Sequence, residues 1–374
     1  MKIITNGKFI LPQQVVEKHH LIFADTIQAL EPDSTPLPPD AEIIDAQGCY
    51  VSPGFINIHL HGAKGSDAMD GTPAALATIA GSLPSTGVTS FLPTTMTASR
   101  PDIYKALENI KNAQGNKQGA KILGANVEGP FISVKYKGAQ KEEYIDQADF
   151  TKIATYKDVI KLITIAPETC LATNFISRCR RADIIVSLGH SSATYEEALT
   201  AIKTGATHVT HLFNAMSSLH HRKPGLVGAA LDSDAYVELI CDNIHVHPML
   251  QRLVYKLKSP DKIILITDAM RAALLGDGES ELGGQKVFVR GPRATLADGT
   301  LAGSVLAMNA ALRNFKVNTG APIWKVVAMV TLNPARELGL NKIGSLETGK
   351  MADLTIFDQD FKIKQTFING ILQK

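Results

Sequence analysis

Pro53-Gly-Phe-Ile-Asn-Ile-His-Leu-His61 is an apolar run that closes on two histidines. Residues two apart on a strand point to one face, with Cα atoms roughly 6.5 to 7 Å apart, so His59 and His61 could converge on one ion. Four more runs end in the same way. They are Ile122-Leu-Gly-Ala-Asn-Val-Glu128, Ile184-Ile-Val-Ser-Leu-Gly-His190, His208-Val-Thr-His211 and Ile263-Ile-Leu-Ile-Thr-Asp268. A ligand-type residue closing one buried strand is ordinary. Five of them imply that the strand ends meet, as they do at the C-terminal face of a parallel barrel.

Working outward, strand candidates alternate with helix candidates, the pattern of a parallel sheet covered by helices. Eight strands are expected: 52–59, 87–93, 122–128, 161–166, 184–190, 208–211, 237–241 and 263–268. Eight is the number that closes a (β/α)8 TIM-like barrel. Residues 193–204 read as a helix with Thr194 as N-cap, Glu196 and Glu197 in the first turn and Gly205 as C-cap. Helices are also expected near 248–258, 305–319 and 323–332, with a loop or hairpin over 275–299. Short strands near 2–5, 8–11, 20–23, 26–30 and 41–44 are matched at the other end by 353–357, 363–368 and 371–372. Residues 1–50 and 340–374 are therefore expected to form one small β-sandwich, with the barrel over 51–339. The segment Pro32–Pro39 carries four prolines and reads as loop.

The 374 residues are long enough for one barrel and an appendage. With 38 basic and 36 acidic side chains, the net charge of +2 gives no reason to expect nucleic acid or an anionic membrane as partner. No apolar stretch reaches the roughly 18 residues of a membrane span, and Met1–Gly7 reads as strand and turn rather than a signal peptide. Cys49, Cys170, Cys179 and Cys241 are scattered, as structural thiols in a reducing cytoplasm would be.

Glu128, His190 and His211 together form a donor set that leaves a position open, as catalytic zinc sites do. Asp268, at the last strand, is placed for general-base work on a metal-activated water. His208, three residues before His211, is expected to face the other way and to be structural. Asn214-Ala215-Met216, Arg222 in His220-His-Arg-Lys-Pro-Gly225, and His245 could cradle an anion such as phosphate. His245-Val-His247 competes with His59-Leu-His61 as a metal pair, but lies in a loop before a proline.

At these residues the chain resembles the N-acetylglucosamine-6-phosphate deacetylases of the amidohydrolase superfamily. The stretches that carry the resemblance are Pro53–Gly62, Val127–Phe131, Ser187–Ser191, Thr210–Met216, Pro224–Leu226, Ile266–Met270 and Leu301–Ser304, in family order over nearly the whole chain. The resemblance implies a barrel with a β-sandwich from both termini, a cytoplasmic homodimer, and release of acetate from N-acetyl-D-glucosamine 6-phosphate. It implies that Glu128, His190 and His211 hold the main divalent ion, zinc or Fe2+, and that Asp268 is the acid/base. It also implies that Ala139, Gln140, Asn214, the backbone of Ala215 and Leu301 meet the sugar phosphate. Arg222 and His245 would reach the phosphate from the neighbouring subunit. Some members carry Gln and Asn in place of the histidine pair and hold one metal; His59 and His61 here allow one or two per subunit. Many members have a histidine after Lys-Gly-Ala, where this chain has Gln140.

The epimeric N-acetyl-D-galactosamine 6-phosphate is the alternative substrate. A cyclic-amide hydrolase or deaminase of the same superfamily would commonly carry a strand-terminal lysine, and none stands at the expected place. A non-enzymatic relative would have lost ligands, and all of them are here.

Overall fold

The structure is a computed structural model that describes residues 1–169 and 171–373. Cys170 lies outside the described residues; Cys49, Cys179 and Cys241 are free thiols.

The eight expected strands form the barrel: β1 (Phe55–Leu60), β2 (Val88–Thr95), β3 (Ala125–Glu128), β4 (Ile160–Ile165), β5 (Ile185–Leu188), β6 (His208–Val209), β7 (Tyr236–Ile240) and β8 (Ile263–Ile266). Each pairs in parallel with the next. Several are shorter than their apolar runs. Gly124, at φ +146°, separates β3 from a two-residue strand at Lys121–Ile122. The seam between β8 and β1 closes only near the C-terminal end, by a parallel bridge from Leu60 to Ala269 and by the Asp268 N–H donating to His59 O at 3.0 Å. Lower down, the carbonyls of Val330 and Met329 accept from Ile56 N and Leu265 N, so a connecting segment fills the gap. The protein is a TIM barrel with a small β domain.

The terminal segments form two sheets. One has four strands in the order Ile27–Pro32, His19–Phe23, Lys2–Thr5, Glu42–Asp45. The other has six, in the order Ile371–Leu372, Ile363–Ile368, Leu354–Phe357, Tyr50–Pro53, Lys8–Ile10, Val15–Val16. Ile4, Phe9, Phe23, Val51, Leu354 and Phe367 share a core between them. Tyr50–Pro53 was expected to open the first barrel strand in part; it pairs instead with the terminal strands on both sides. Pro32 was expected in loop, yet it ends a strand. That strand is at the sheet's edge, where a missing N–H costs no ladder bond.

The helix 195–204 is built as its sequence dictates. Thr194 Oγ1 accepts from Glu197 N, Glu197 caps back, and Gly205 ends it. The expected helix over 323–332 breaks at Thr331 into Ile323–Ala328 and Leu332–Glu337. Residues 278–295 form a three-stranded antiparallel meander whose Leu282, Val287 and Val289 pack on Met96 and Met270, roofing one side of the barrel mouth.

Gly62, directly after His61, allows a close approach of backbones. A Cβ there would stand 2.2 Å from Ser66 O and 3.0 Å from the Arg271 backbone. Gly62→Ala is expected to cost about 1–3 kcal/mol by overpacking. Thermal unfolding checks this; an unchanged Tm would refute the close approach.

Candidate functional site

Three strand-end residues adopt backbone conformations that side chains usually avoid: His190 at φ 46°, His211 at φ 23° and Asp268 at φ 49°. Such left-handed residues cluster where a site over-determines the backbone. Here each sits just past the end of its strand, at β5, β6 and β8, and its side chain points into the mouth.

Glu128 is the centre of the cluster. Its Oε1 lies 3.0 Å from His211 Nε2, 3.2 Å from His190 Nε2 and 3.3 Å from His59 Nε2; its Oε2 lies 3.4 Å from His61 Nε2. Asp268 Oδ1 stands 3.2 Å from His61 Nε2 and 3.7 Å from His59 Nε2. Two donor groups result, Glu128/His190/His211 and His59/His61/Asp268, each compact enough for one ion.

The ring orientations test whether a cation fits. His61, His190 and His211 turn Nδ1 to the carbonyls of Thr94, Tyr136 and Asn214 at 3.2, 2.9 and 3.1 Å. A carbonyl only accepts, so each Nδ1 carries the hydrogen and each Nε2 presents its lone pair to the cluster. His190 Nε2 and His211 Nε2 are 3.1 Å apart, and His59 Nε2 is buried without a hydrogen-bond partner among the described residues. Converging lone pairs and a carboxylate require positive charge among them, from a metal ion or from extra protons. The electrostatics agree. Burial opposes charge on His61, but Asp268 and Glu128 draw its pKa up to about 10. Burial pushes the Glu128 carboxyl up, and the imidazoles, His59 foremost, more than reverse it. Burial likewise pushes Asp268 up, and His59 and His61 hold it below the ordinary carboxylate value. Carboxylate plus imidazole donors with open positions fit a divalent ion.

The cluster floors a cavity of about 260 Å³. Of the residues expected to meet substrate, Ala139, Gln140, Asn214, Ala215, His245 and Leu301 all line it. Gln140 departs from its expected part as a sugar contact alone. Its Oε1 accepts from Thr97 N at 2.8 Å and its Nε2 donates to Glu128 Oε2 at 2.7 Å, so it orients the central carboxylate. His245 was expected to arrive from a neighbouring subunit, but it stands in this chain's own cavity. The loop before the 248–257 helix is folded there by Asp242, which accepts from Ile244 N and His245 N at 2.8 Å and from His245 Nδ1 at 2.6 Å. Burial works against charge on His245, yet Asp242 raises its pKa. Arg222 is not at its own chain's cavity; it lies exposed, with Nη1 2.7 Å from His221 Nε2. His247 is exposed and caps the 248–257 helix through Met249 N, so it forms no metal pair with His245.

His208 does not face away. It enters the barrel interior beneath the site, 3.0 Å from Glu238 Oε1 through Nε2 and 2.7 Å from Glu337 Oε1 through Nδ1. The strand ends at Val209, so the two-residue alternation does not carry to His211. Burial lowers its affinity for a proton, but Glu337 and Glu238 lift its pKa to about 10. Glu238 is the residue that strand reading missed. The signal was a lone acid inside the apolar strand Tyr236-Val-Glu-Leu-Ile240.

The family model described as "Amidohydrolase family" matches residues 50–372. A curated N-acetylglucosamine-6-phosphate deacetylase of Bacillus subtilis (strain 168) is 41% identical over 344 residues, covering 89% of this chain and 87% of that protein. An N-acetylgalactosamine-6-phosphate deacetylase of Escherichia coli O157:H7 is 37% identical, covering 96% and 95%. The crystal structure of N-acetylglucosamine-6-phosphate deacetylase from Pasteurella multocida superposes with a TM-score of 0.94 at 35% identity, covering 99% of each chain. The chain belongs to the amidohydrolase family, in its N-acetylglucosamine-6-phosphate deacetylase branch.

Proposed function

We propose that the protein hydrolyses the acetamide of N-acetyl-D-glucosamine 6-phosphate to D-glucosamine 6-phosphate and acetate. The observation that carries this reading is Glu128, His190 and His211 converging beside Asp268 at the floor of a cavity, in a chain of this family.

Glu128, His190 and His211 would hold the main divalent ion, with zinc the best match to imidazole and carboxylate donors and Fe2+ accepted by the same set. When bound there, such an ion would polarise the amide carbonyl and would bring the pKa of water from 15.7 toward about 7. Asp268, ionised at neutral pH, takes the proton of the attacking water as the C–O bond forms. When the tetrahedral carbon collapses, the same carboxyl returns that proton to the nitrogen, the C–N bond breaks, and acetate and amine separate. Gln140 keeps Glu128 turned toward the imidazoles. His59 and His61, with Asp268, form the second donor group, which would take a second ion.

His245, which lines the same cavity as Asn214 and Ala215, would be the cation for the phosphate, with Asn214 and the Ala215 backbone as further contacts. Arg222 does not line its own cavity and would serve that of a neighbouring copy, which would make a homodimer the working unit. The enzyme would act in the cytoplasm, on a metabolite present there.

Acetate release from N-acetyl-D-glucosamine 6-phosphate by purified protein tests the reaction, and its absence would overturn it. The galacto epimer, measured alongside, reports selectivity for one hydroxyl; a higher kcat/KM for that epimer would replace the substrate named here. Arg222→Ala is expected to raise KM about 10- to 100-fold with kcat nearly kept, as loss of a charge-assisted hydrogen bond of roughly 1.5–3 kcal/mol would do. An unchanged KM would remove Arg222 from the phosphate site.

A further inference from the structure

Below the cavity a line of four ionisable side chains runs down the barrel: His59, Glu238, His208 and Glu337. All four are buried, and Glu238 and His208 are 0% exposed. Glu238 Oε2 accepts three hydrogens at once. His59 Nδ1 donates at 2.9 Å, the Thr210 hydroxyl at 2.8 Å and the His211 N–H at 3.0 Å. Its Oε1 makes a close ionic contact of 3.0 Å with His208 Nε2, off the line of an aligned hydrogen bond. Both oxygens of Glu337 then hold His208 Nδ1, at 2.7 and 2.8 Å. Glu337 ends the Leu332–Glu337 helix, which Asn333 fastens to the carbonyls of Pro260 and Ile263 at the start of β8.

Buried charges of this kind are expensive, and apolar residues of like volume would often give an equal or more stable core. What the line supplies is orientation. A carboxylate oxygen on His59 Nδ1 fixes that nitrogen as the donor and leaves Nε2 with its lone pair toward Glu128 and Asp268. The same oxygen grips the backbone of His211, a residue at φ 23° that needs an outside hold. One atom thus joins a ring of the second donor group to the backbone of the first.

We propose that Glu238, backed by His208 and Glu337, is a positioning residue for deacetylation, setting His59 and His211 relative to one another. It touches neither substrate nor reacting atoms. The proposal rests on the deacetylase reading of the site, but its primary readout, binding of Zn2+ itself, does not need substrate.

The test is Glu238→Gln in the full chain, with Zn2+ affinity measured by competition against a chelator, together with Tm, kcat and KM. The amide can still accept from Thr210 or His211 but loses the charge that anchors His59 and His208. Zn2+ affinity is expected to fall about 10- to 100-fold and kcat to fall, with KM for substrate within about threefold. Glu337→Gln, two side chains further from the site, covers the case in which Glu238→Gln does not fold. It is expected to weaken Zn2+ in the same direction and by less. A purely structural part would lower Tm and leave Zn2+ affinity and kcat within twofold in both variants, which would overturn the proposal. If wild type itself releases no acetate while Glu238→Gln still loses Zn2+, the substrate reading fails and the positioning role stands.

Discussion

Asp268→Asn is expected to keep the main metal ion and lose about 10²- to 10⁴-fold in kcat, the range that a positioned general acid–base contributes. Asparagine nearly copies the shape and can still hydrogen-bond to His61, so the fold and the Glu128/His190/His211 set are undisturbed. It cannot take a proton from water or return one to the leaving nitrogen. In the proposed mechanism both proton transfers use one carboxyl, so the loss falls on kcat and kcat/KM together, with little change in KM. Wild-type Asp268 is held ionised by His59 and His61 against the upward pull of burial, so it is a base across the neutral range without further activation. Steady-state kinetics and metal analysis of the same preparation check this. Near-normal turnover with metal bound would move the acid/base role to another residue.

The site was legible where chemistry interrupts a hydrophobic run. Glu128, His190, His211 and Asp268 each follow an apolar strand, and such strands can only end at a barrel's faces, so their order along the chain pointed to the candidate metal cluster. The sequence was silent where tertiary contact sets the backbone. Nothing local announces that His190, His211 and Asp268 take positive φ. A period of two misplaces His208, because the strand stops at Val209 and the alternation does not carry to His211. Gln140 looked like a sugar contact because its partners, Thr97 and Glu128, are 43 and 12 residues away. The sandwich of the two termini was visible as short strands and turns, while the pairing of Tyr50–Pro53 with Leu354–Phe357 depends on a contact some 300 residues long.

Glu128→Gln should show how the two donor groups depend on one another. Glu128 is a donor of one group, and its oxygens also lie 3.3 and 3.4 Å from His59 Nε2 and His61 Nε2 of the other, where Asp268 is the carboxylate donor. Replacing Glu128 removes the charge that offsets a divalent ion and turns an N–H donor toward imidazole lone pairs or toward Gln140. Removing one partner of a buried ionic set costs about 3–5 kcal/mol, equivalent to roughly 10²- to 10⁴-fold in affinity. Metal content after dialysis is therefore expected to fall far below one ion per chain, and activity with it. His61→Gln, by contrast, touches only the His59/His61/Asp268 group and should leave the main ion in place. If wild type holds two ions, Glu128→Gln empties both sites and His61→Gln lowers the count by one. If wild type holds one, His61→Gln leaves the count unchanged. Full metal content in Glu128→Gln would mean that the histidines alone suffice, and that the central carboxylate acts on the substrate rather than on the ion.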